Sequence, residues 1–137
     1  MSKIEWKYPK SHLSTVEIEV YENALGYKIQ SDYMKLILSI NGSRPKPNKF
    51  DTEAAKDRVF RGLISISQKD SGNIYSVLEW IRDRLPRNLV PFADDPAGNY
   101  LCFDFSKSKP TVVFWIIETG ATEYICDSLS ELLNHLH

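Results

Sequence analysis

The chain has 137 residues, 42% hydrophobic and 26% charged, which suits one folded domain and excludes a disordered tail or a fibrous repeat. Its 17 basic and 18 acidic residues leave a formal charge of −1, which excludes a broadly basic nucleic-acid binder. The balance is a cancellation: residues 1–87 carry 15 basic and 11 acidic side chains (+4), and residues 88–137 carry 2 and 7 (−5).

In chain order, Ser14-Thr15-Val16-Glu17 has the spacing of a capping box. Val16, Val20, Tyr21 and Ala24 then recur at helical spacing before Gly26, a helix stop. The stretch Val16-Glu17-Ile18-Glu19-Val20 also alternates as a strand does, so both readings stand. A second helix opens at Ser31, sets Tyr33, Leu36, Ile37 and Ile40 on one face, and ends at Asn41-Gly42. Ser43 to Phe50, with two prolines and three basic residues, reads as an extended loop. Val59 to Ser67 reads as a strand, and Ile74, Val77, Leu78, Ile81 and Leu85 define a third helix stopped by Pro86.

Beyond Pro86 the period becomes strand-like. Asn88–Ala93 and Tyr100–Phe105 flank the turn Asp94-Asp95-Pro96-Ala97-Gly98-Asn99, Thr111–Ile117 is a central strand, and Glu123–Cys126 follows a further turn. Ser128 to Glu131 is a second capping-box spacing, followed by Leu129, Leu132, Leu133 and Leu136 at helical spacing. Consecutive strands on short turns predict an α+β domain: an antiparallel sheet of about four to six strands, with helices packed on one face or end.

Candidate chemistry is sparse. His12, His135 and His137 lack metal-ligand spacing, and no phosphate-binding glycine loop is present, so neither a metal nor a cofactor is expected. Cys102 and Cys126 fall in predicted strands, where thiols act as small buried apolar groups. Asp94, Asp95 and Asp104 are the best acidic cluster. They read first as turn chemistry and, as a remote alternative, as ligands of a small metal-dependent enzyme. The basic loop around Arg44 to Lys49 reads as a solvated surface. Met1-Ser2-Lys3-Ile4-Glu5-Trp6-Lys7 has no apolar run after its charges, so no signal peptide is expected there, and no segment nears the roughly 20 apolar residues of a membrane span. A cytoplasmic protein with reduced thiols is expected.

Three groups of residues resemble one family. They are Glu22-Asn23-Ala24-Leu25-Gly26 with Ser31-Asp32-Tyr33 and Leu38–Gly42; Val90-Pro91-Phe92-Ala93-Asp94-Asp95 with Gly98–Asp104; and Val113-Phe114-Trp115 with Asp127–Leu133. In this order they are similar to the SMI1/KNR4 (SUKH) superfamily across residues 14–136, one domain filling 1–137. The chain departs from the family at Ile29-Gln30, where Leu-Pro is common, and at Leu129, where an aromatic is usual. The matching residues Gly26, Tyr33, Asn41, Gly42, Pro91, Phe92, Asp95, Gly98, Asn99, Cys102, Asp104 and Trp115 read as fold determinants.

The resemblance implies a non-enzymatic binding module. Many bacterial members are immunity proteins that neutralise the C-terminal toxic domain, often a nuclease, of a secreted toxin, and fungal relatives are linked to cell-wall synthesis and signalling through protein partners. The resemblance therefore implies a toxin partner, with a cell-wall adaptor as the alternative. No direct nucleic-acid or membrane contact is expected. Since a nuclease attracts phosphate with a basic face, the acidic residues in or beside predicted turns, Asp94, Asp95, Glu118 and Glu123, are the expected contacts.

Overall fold

A computed structural model of the chain describes residues 3–137; Met1 and Ser2, which open the stretch where no signal peptide is expected, lie outside the described residues. The elements in order are β1 (Glu5–Lys7), α1 (Thr15–Leu25), α2 (Ser31–Ile40), β2 (Arg44–Lys46), β3 (Lys49–Phe50), β4 (Arg58–Val59) and β5 (Gly62–Leu63). They continue with α3 (Ile74–Ile81), β6 (Leu89–Asp94), β7 (Tyr100–Asp104), β8 (Thr111–Trp115), β9 (Thr122–Cys126) and α4 (Leu129–Asn134). Strands β5 to β9 form a five-stranded antiparallel meander, and β1–β2 and β3–β4 are separate antiparallel pairs. This is the expected α+β class in a single domain. No helix among the described residues is long and apolar enough to cross a membrane.

The capping box decides the ambiguous first segment. The Ser14 hydroxyl accepts from the Glu17 amide at 3.1 Å, the Glu17 carboxylate accepts from the Ser14 amide at 2.9 Å, and Gly26 ends the helix at φ 78°. The buried face differs from the expected one. Tyr21 is fully buried and Ile18 and Leu25 pack on the core, while Val16 and Val20 are 67% and 43% exposed. The buried stripe is Ile18, Tyr21 and Leu25, apolar at i, i+3 and i+7, and Glu17 at its border accepts from the Ser67 hydroxyl.

The strand expected over Val59–Ser67 is cut short. After Val59 the chain turns, pairs again only at Gly62–Leu63, and makes its last contact with β6 where the Ile64 amide donates to Phe92 O at 2.9 Å. Side chains then take over from the ladder: the Ile66 amide donates to Asn41 Oδ1 at 3.2 Å and the Ser67 amide to Ser65 Oγ at 3.0 Å. The loop expected over Ser43–Phe50 contains β2 and β3 on either side of a cis Lys46–Pro47 bond. Strand β2 borders β5 where the Leu63 amide donates to Ser43 O at 2.9 Å.

The β6–β7 reversal forms as its composition implies. Asp95 Oδ1 accepts from the Ala97 and Asn99 amides at 3.0 and 2.7 Å, and Gly98 takes φ 89°. Pro91 stands beside the bulge in β6, beyond the last β5 residue, where its missing N–H costs no ladder bond to β5. Register puts Phe103 and Phe114 on one face of the sheet and Cys102 and Trp115 on the other. On the first face Phe92 stacks on Phe103 at 4.2 Å, and Tyr33 of α2 meets Phe103 edge-on at 5.1 Å. Phe92, Cys102 and Trp115 are all fully buried, so both faces of the central strands are core.

Candidate functional site

The three aspartates of the turn region do not converge. Asp94 pairs in register with Tyr100 and Asp104 with Leu89, at opposite ends of the β6–β7 ladder and roughly 13 Å apart along the strand. Each is otherwise engaged. Asp94 takes a two-pronged bond from Arg61 (3.2 and 2.5 Å), and Asp95 closes its own turn. Asp104 accepts from Asn88 Nδ2 at 2.6 Å and from the Ser106 amide at 2.9 Å. A shared metal site made of these three is therefore ruled out by distance. Burial pushes the Cys102 thiol well up and the Cys126 thiol up to about 12, so neither supplies a thiolate near neutrality.

The sheet edge at β9 is different. Arg58 of β4 grips Glu123 with two bonds of 2.8 Å, and the Thr52 hydroxyl donates to the same carboxylate at 2.7 Å. Burial alone would raise the Glu123 carboxyl, but these bonds outweigh it and hold the group below its ordinary value. With its side chain 12% exposed, Glu123 is a clamp beneath the surface. The clamp docks residues 51–57 along β9, where the Glu53 amide donates to Tyr124 O at 2.9 Å and the Tyr124 amide donates back to the Glu53 carboxylate.

Tyr124, 41% exposed, stands between two shallow clefts. One, about 470 Å³, is lined by Phe50, Asp51, Thr52, Glu53, Ile125, Leu132 and His135, besides Tyr124 and Cys126. The other, about 440 Å³, is lined by Glu53, Asp104, Lys107, Thr111, Val113, Thr122 and Asp127, besides Tyr124 and Ser106. The tyrosine hydroxyl donates to Asp127, and that bond, with burial and the nearby charges of Asp127 and Glu131, pushes its pKa up to about 12. A neutral phenol is thus held among the carboxylates of Asp51, Glu53, Asp104 and Asp127, with Lys107 the single Lys or Arg in either lining.

The other edge is basic. Lys10, Arg44 and Arg61 line a groove of about 380 Å³ with exposed Tyr8, and the one carboxylate in that lining is Asp94, already bound to Arg61. Strands β5 and β9 are the two edges of the sheet, so the basic groove and the acidic clefts lie at opposite edges.

Of the four carboxylates expected to meet a partner, Glu118 is exposed beyond β8, Glu123 lies under the β9 edge, and Asp94 and Asp95 sit at the far end of β6. Asp51 and Glu53 escaped the sequence reading because the loop that carries them meets β9 only in space. The same loop brings Asp51 and Asp57 to His137, whose Nε2 lies 3.5 and 3.0 Å from their Oδ1 atoms. The His135 carbonyl and the Asp57 carboxylate raise the pKa of the His137 ring.

Comparison with known proteins agrees with the architecture. The family described as SMI1-KNR4 cell-wall (SUKH_6) matches residues 15–133. The chain is also similar to the SPbeta prophage-derived uncharacterized protein YokK of Bacillus subtilis (strain 168), with 21% identity over 127 residues. That alignment takes in 80% of this chain and 64% of the relative, so the chain spans somewhat under two-thirds of the relative's length.

Proposed function

The chain belongs to the SMI1-KNR4 family, and from that premise we propose that it is an immunity protein, which binds a cognate toxin domain in the cytoplasm and covers its active face. The family includes immunity proteins and is generally of the non-catalytic immunity or adaptor type. The observation that carries the reading is the acidic surface around Tyr124. A nuclease toxin needs a basic face for phosphate, and a rigid surface of opposite charge speeds encounter and then excludes substrate. A prophage-derived relative fits a gene carried as defensive cargo.

The contact surface in this reading keeps Glu118 from the residues expected on sequence and adds Glu53, Asp104, Tyr124 and Asp127. Glu123 acts from beneath by holding the 51–57 segment in place. Aromatic anchors inside a charged rim dominate binding energy in such interfaces, which gives Tyr124 the central role.

The test is co-expression with the product of an adjoining toxin gene. Survival of the cells and a complex that co-purifies are expected. Glu53→Gln with Asp127→Asn should weaken the complex roughly tenfold and flatten its salt dependence. Unchanged affinity and unchanged salt dependence would remove the acidic surface from the account. Absence of any toxin interaction, together with an envelope defect on deletion, would favour the cell-wall adaptor that the family description suggests.

A further inference from the structure

We propose that Asp51, Asp57 and His137 form a binding site for a transition-metal ion, with Zn²⁺ the best fit. The inference rests on the geometry of these residues and not on the immunity reading. One imidazole and two carboxylates make a mixed nitrogen–oxygen donor set, which borderline ions such as Zn²⁺ accept; Mg²⁺ and Ca²⁺ prefer oxygen alone. One ligand atom from each residue lies within 4.8 Å of the other two. His137 Nε2 is 3.0 Å from Asp57 Oδ1 and 3.5 Å from Asp51 Oδ1. Ligands bonded at about 2.0–2.1 Å to a tetrahedral ion stand about 3.3 Å apart, so the side chains are already near the required spacing.

A second observation comes from outside the three ligands. His137 Nδ1 lies 3.1 Å from the carbonyl oxygen of His135. An N–H donated there places the free lone pair on Nε2, facing both carboxylates. Zinc-binding histidines are oriented in the same way, by handing their other ring N–H to a backbone carbonyl or a carboxylate. The frame is held as well. The His137 amide donates to Lys49 O at 2.9 Å, the Lys49 amide donates to His137 O at 3.0 Å, and the neighbouring Leu136 is buried. Asp57 is set by its own amide, which donates to Asp51 Oδ1 at 3.0 Å.

All three side chains are exposed, so an ion has a path in, and three protein ligands leave a coordination position for water or for a donor on a partner. The consequence of binding falls on the cleft beside Tyr124. Residues 51–57 carry Asp51 and Glu53 into its lining, and an ion bound to His137 ties that segment to the end of α4 and cancels the charge of Asp51.

The experiment titrates tag-free, chelator-treated full chain with ZnCl₂ by calorimetry at neutral pH, with CoCl₂ as a spectroscopic probe. One equivalent of Zn²⁺ should bind, with Co²⁺ giving visible ligand-field bands. His137→Gln and Asp57→Asn should each weaken binding roughly tenfold or more, with circular dichroism unchanged. His12→Gln and His135→Gln should leave it as it is. The proposal fails if no heat is seen up to about 1 mM Zn²⁺, or if His137→Gln and Asp57→Asn bind as the parent does. It also fails if CaCl₂ binds as tightly as ZnCl₂, because the imidazole would then not be a ligand.

Discussion

Asn41→Ala tests the account of why Ile64–Ser67 leaves the sheet. Asn41 is 2% exposed and ties three segments together. Its Nδ2 donates to Ser11 O at 3.0 Å and to Ser65 Oγ at 2.9 Å, while Oδ1 accepts from the Ile66 amide at 3.2 Å. Alanine removes all three bonds, but the consequences are unequal. Ser65 Oγ still donates to Asp70 and accepts from the Ser67 amide, and Ser11 is only partly buried, so its carbonyl can reach water. The Ile66 amide, in a residue 1% exposed, is left with no acceptor. An orphaned buried donor costs about 1–3 kcal/mol and each lost Nδ2 bond about 0.5–1.5 kcal/mol, so a loss of about 3–4 kcal/mol is expected. For a domain of this size that lowers Tm by roughly 10 °C or more. Urea unfolding followed by tryptophan fluorescence should show a lower midpoint with the same slope, and hydrogen exchange should accelerate first at Ile66. A loss below about 1 kcal/mol, or Ile66 protection equal to that of the parent, would refute the reasoning.

Three further outcomes follow from the same network and its neighbours. Burial opposes ionisation of Asp70, but bonds from Ser65 and Ser11 and the charge of Lys10 outweigh it and lower its pKa. The stability it adds is present above the unfolded-state pKa and lost as pH falls through the lower folded one, so Asp70→Asn should flatten the acid limb of a stability–pH curve; parallel curves would contradict this. Gly42→Ala should cost more than Gly98→Ala. Both glycines have positive φ, but a Cβ on Gly42 meets the Lys10 side chain at 2.8 Å while one on Gly98 meets nothing within 4 Å, and thermal melts of the pair decide it. Arg58→Ala strands the Glu123 carboxylate under the 51–57 segment, so a loss of about 1–3 kcal/mol is expected, with faster exchange of the Glu53 amide; slow exchange there would show that the clamp is unnecessary.

The fold was legible where local chemistry repeats. Ser14 with Glu17, and Ser128 with the Glu131 amide, mark helix starts by side-chain caps that need no tertiary partner. Asp95 and Gly98 mark the β6–β7 reversal in the same way. Strands of two or three residues such as β1, β3 and β4 are shorter than any alternation can reveal, and they exist only because a distant segment pairs with them. The misjudged face of α1 has a related cause: Val16 with Val20, and Ile18 with Tyr21 and Leu25, are both apolar at helical spacing, and packing on the core selects the second. The candidate site was least legible of all. Its clamp joins Arg58 to Glu123 across 65 positions, and its histidine–carboxylate cluster joins Asp57 to His137 across 80. Neither leaves a spacing that a motif search can recognise.

Pairing also decides what the charge asymmetry can do. Arg58 and Arg61 come from the basic part of the chain and are bound to Glu123 and Asp94 of the acidic part, so four of the charges that made the two parts look opposed hold strand edges in place. The acidic surface at β9 is built from what remains, including Asp51 and Glu53 from the basic part itself. Four inter-strand gaps of about 4.8 Å separate β5 from β9 by roughly 19 Å, about twice the screening length at physiological salt. A partner approaching β9 therefore responds to the local excess and hardly to the −1 of the whole chain. Lys10→Gln with Arg44→Gln makes the net charge more negative by two yet should leave the association rate at physiological ionic strength unchanged. Glu53→Gln with Asp127→Asn should lower it. At low salt, where the screening length reaches about 30 Å, the Lys10 and Arg44 changes should begin to speed association. Stopped-flow rates across an ionic-strength series separate the cases, and equal, opposite responses of the two pairs at physiological salt would mean that net charge governs encounter after all.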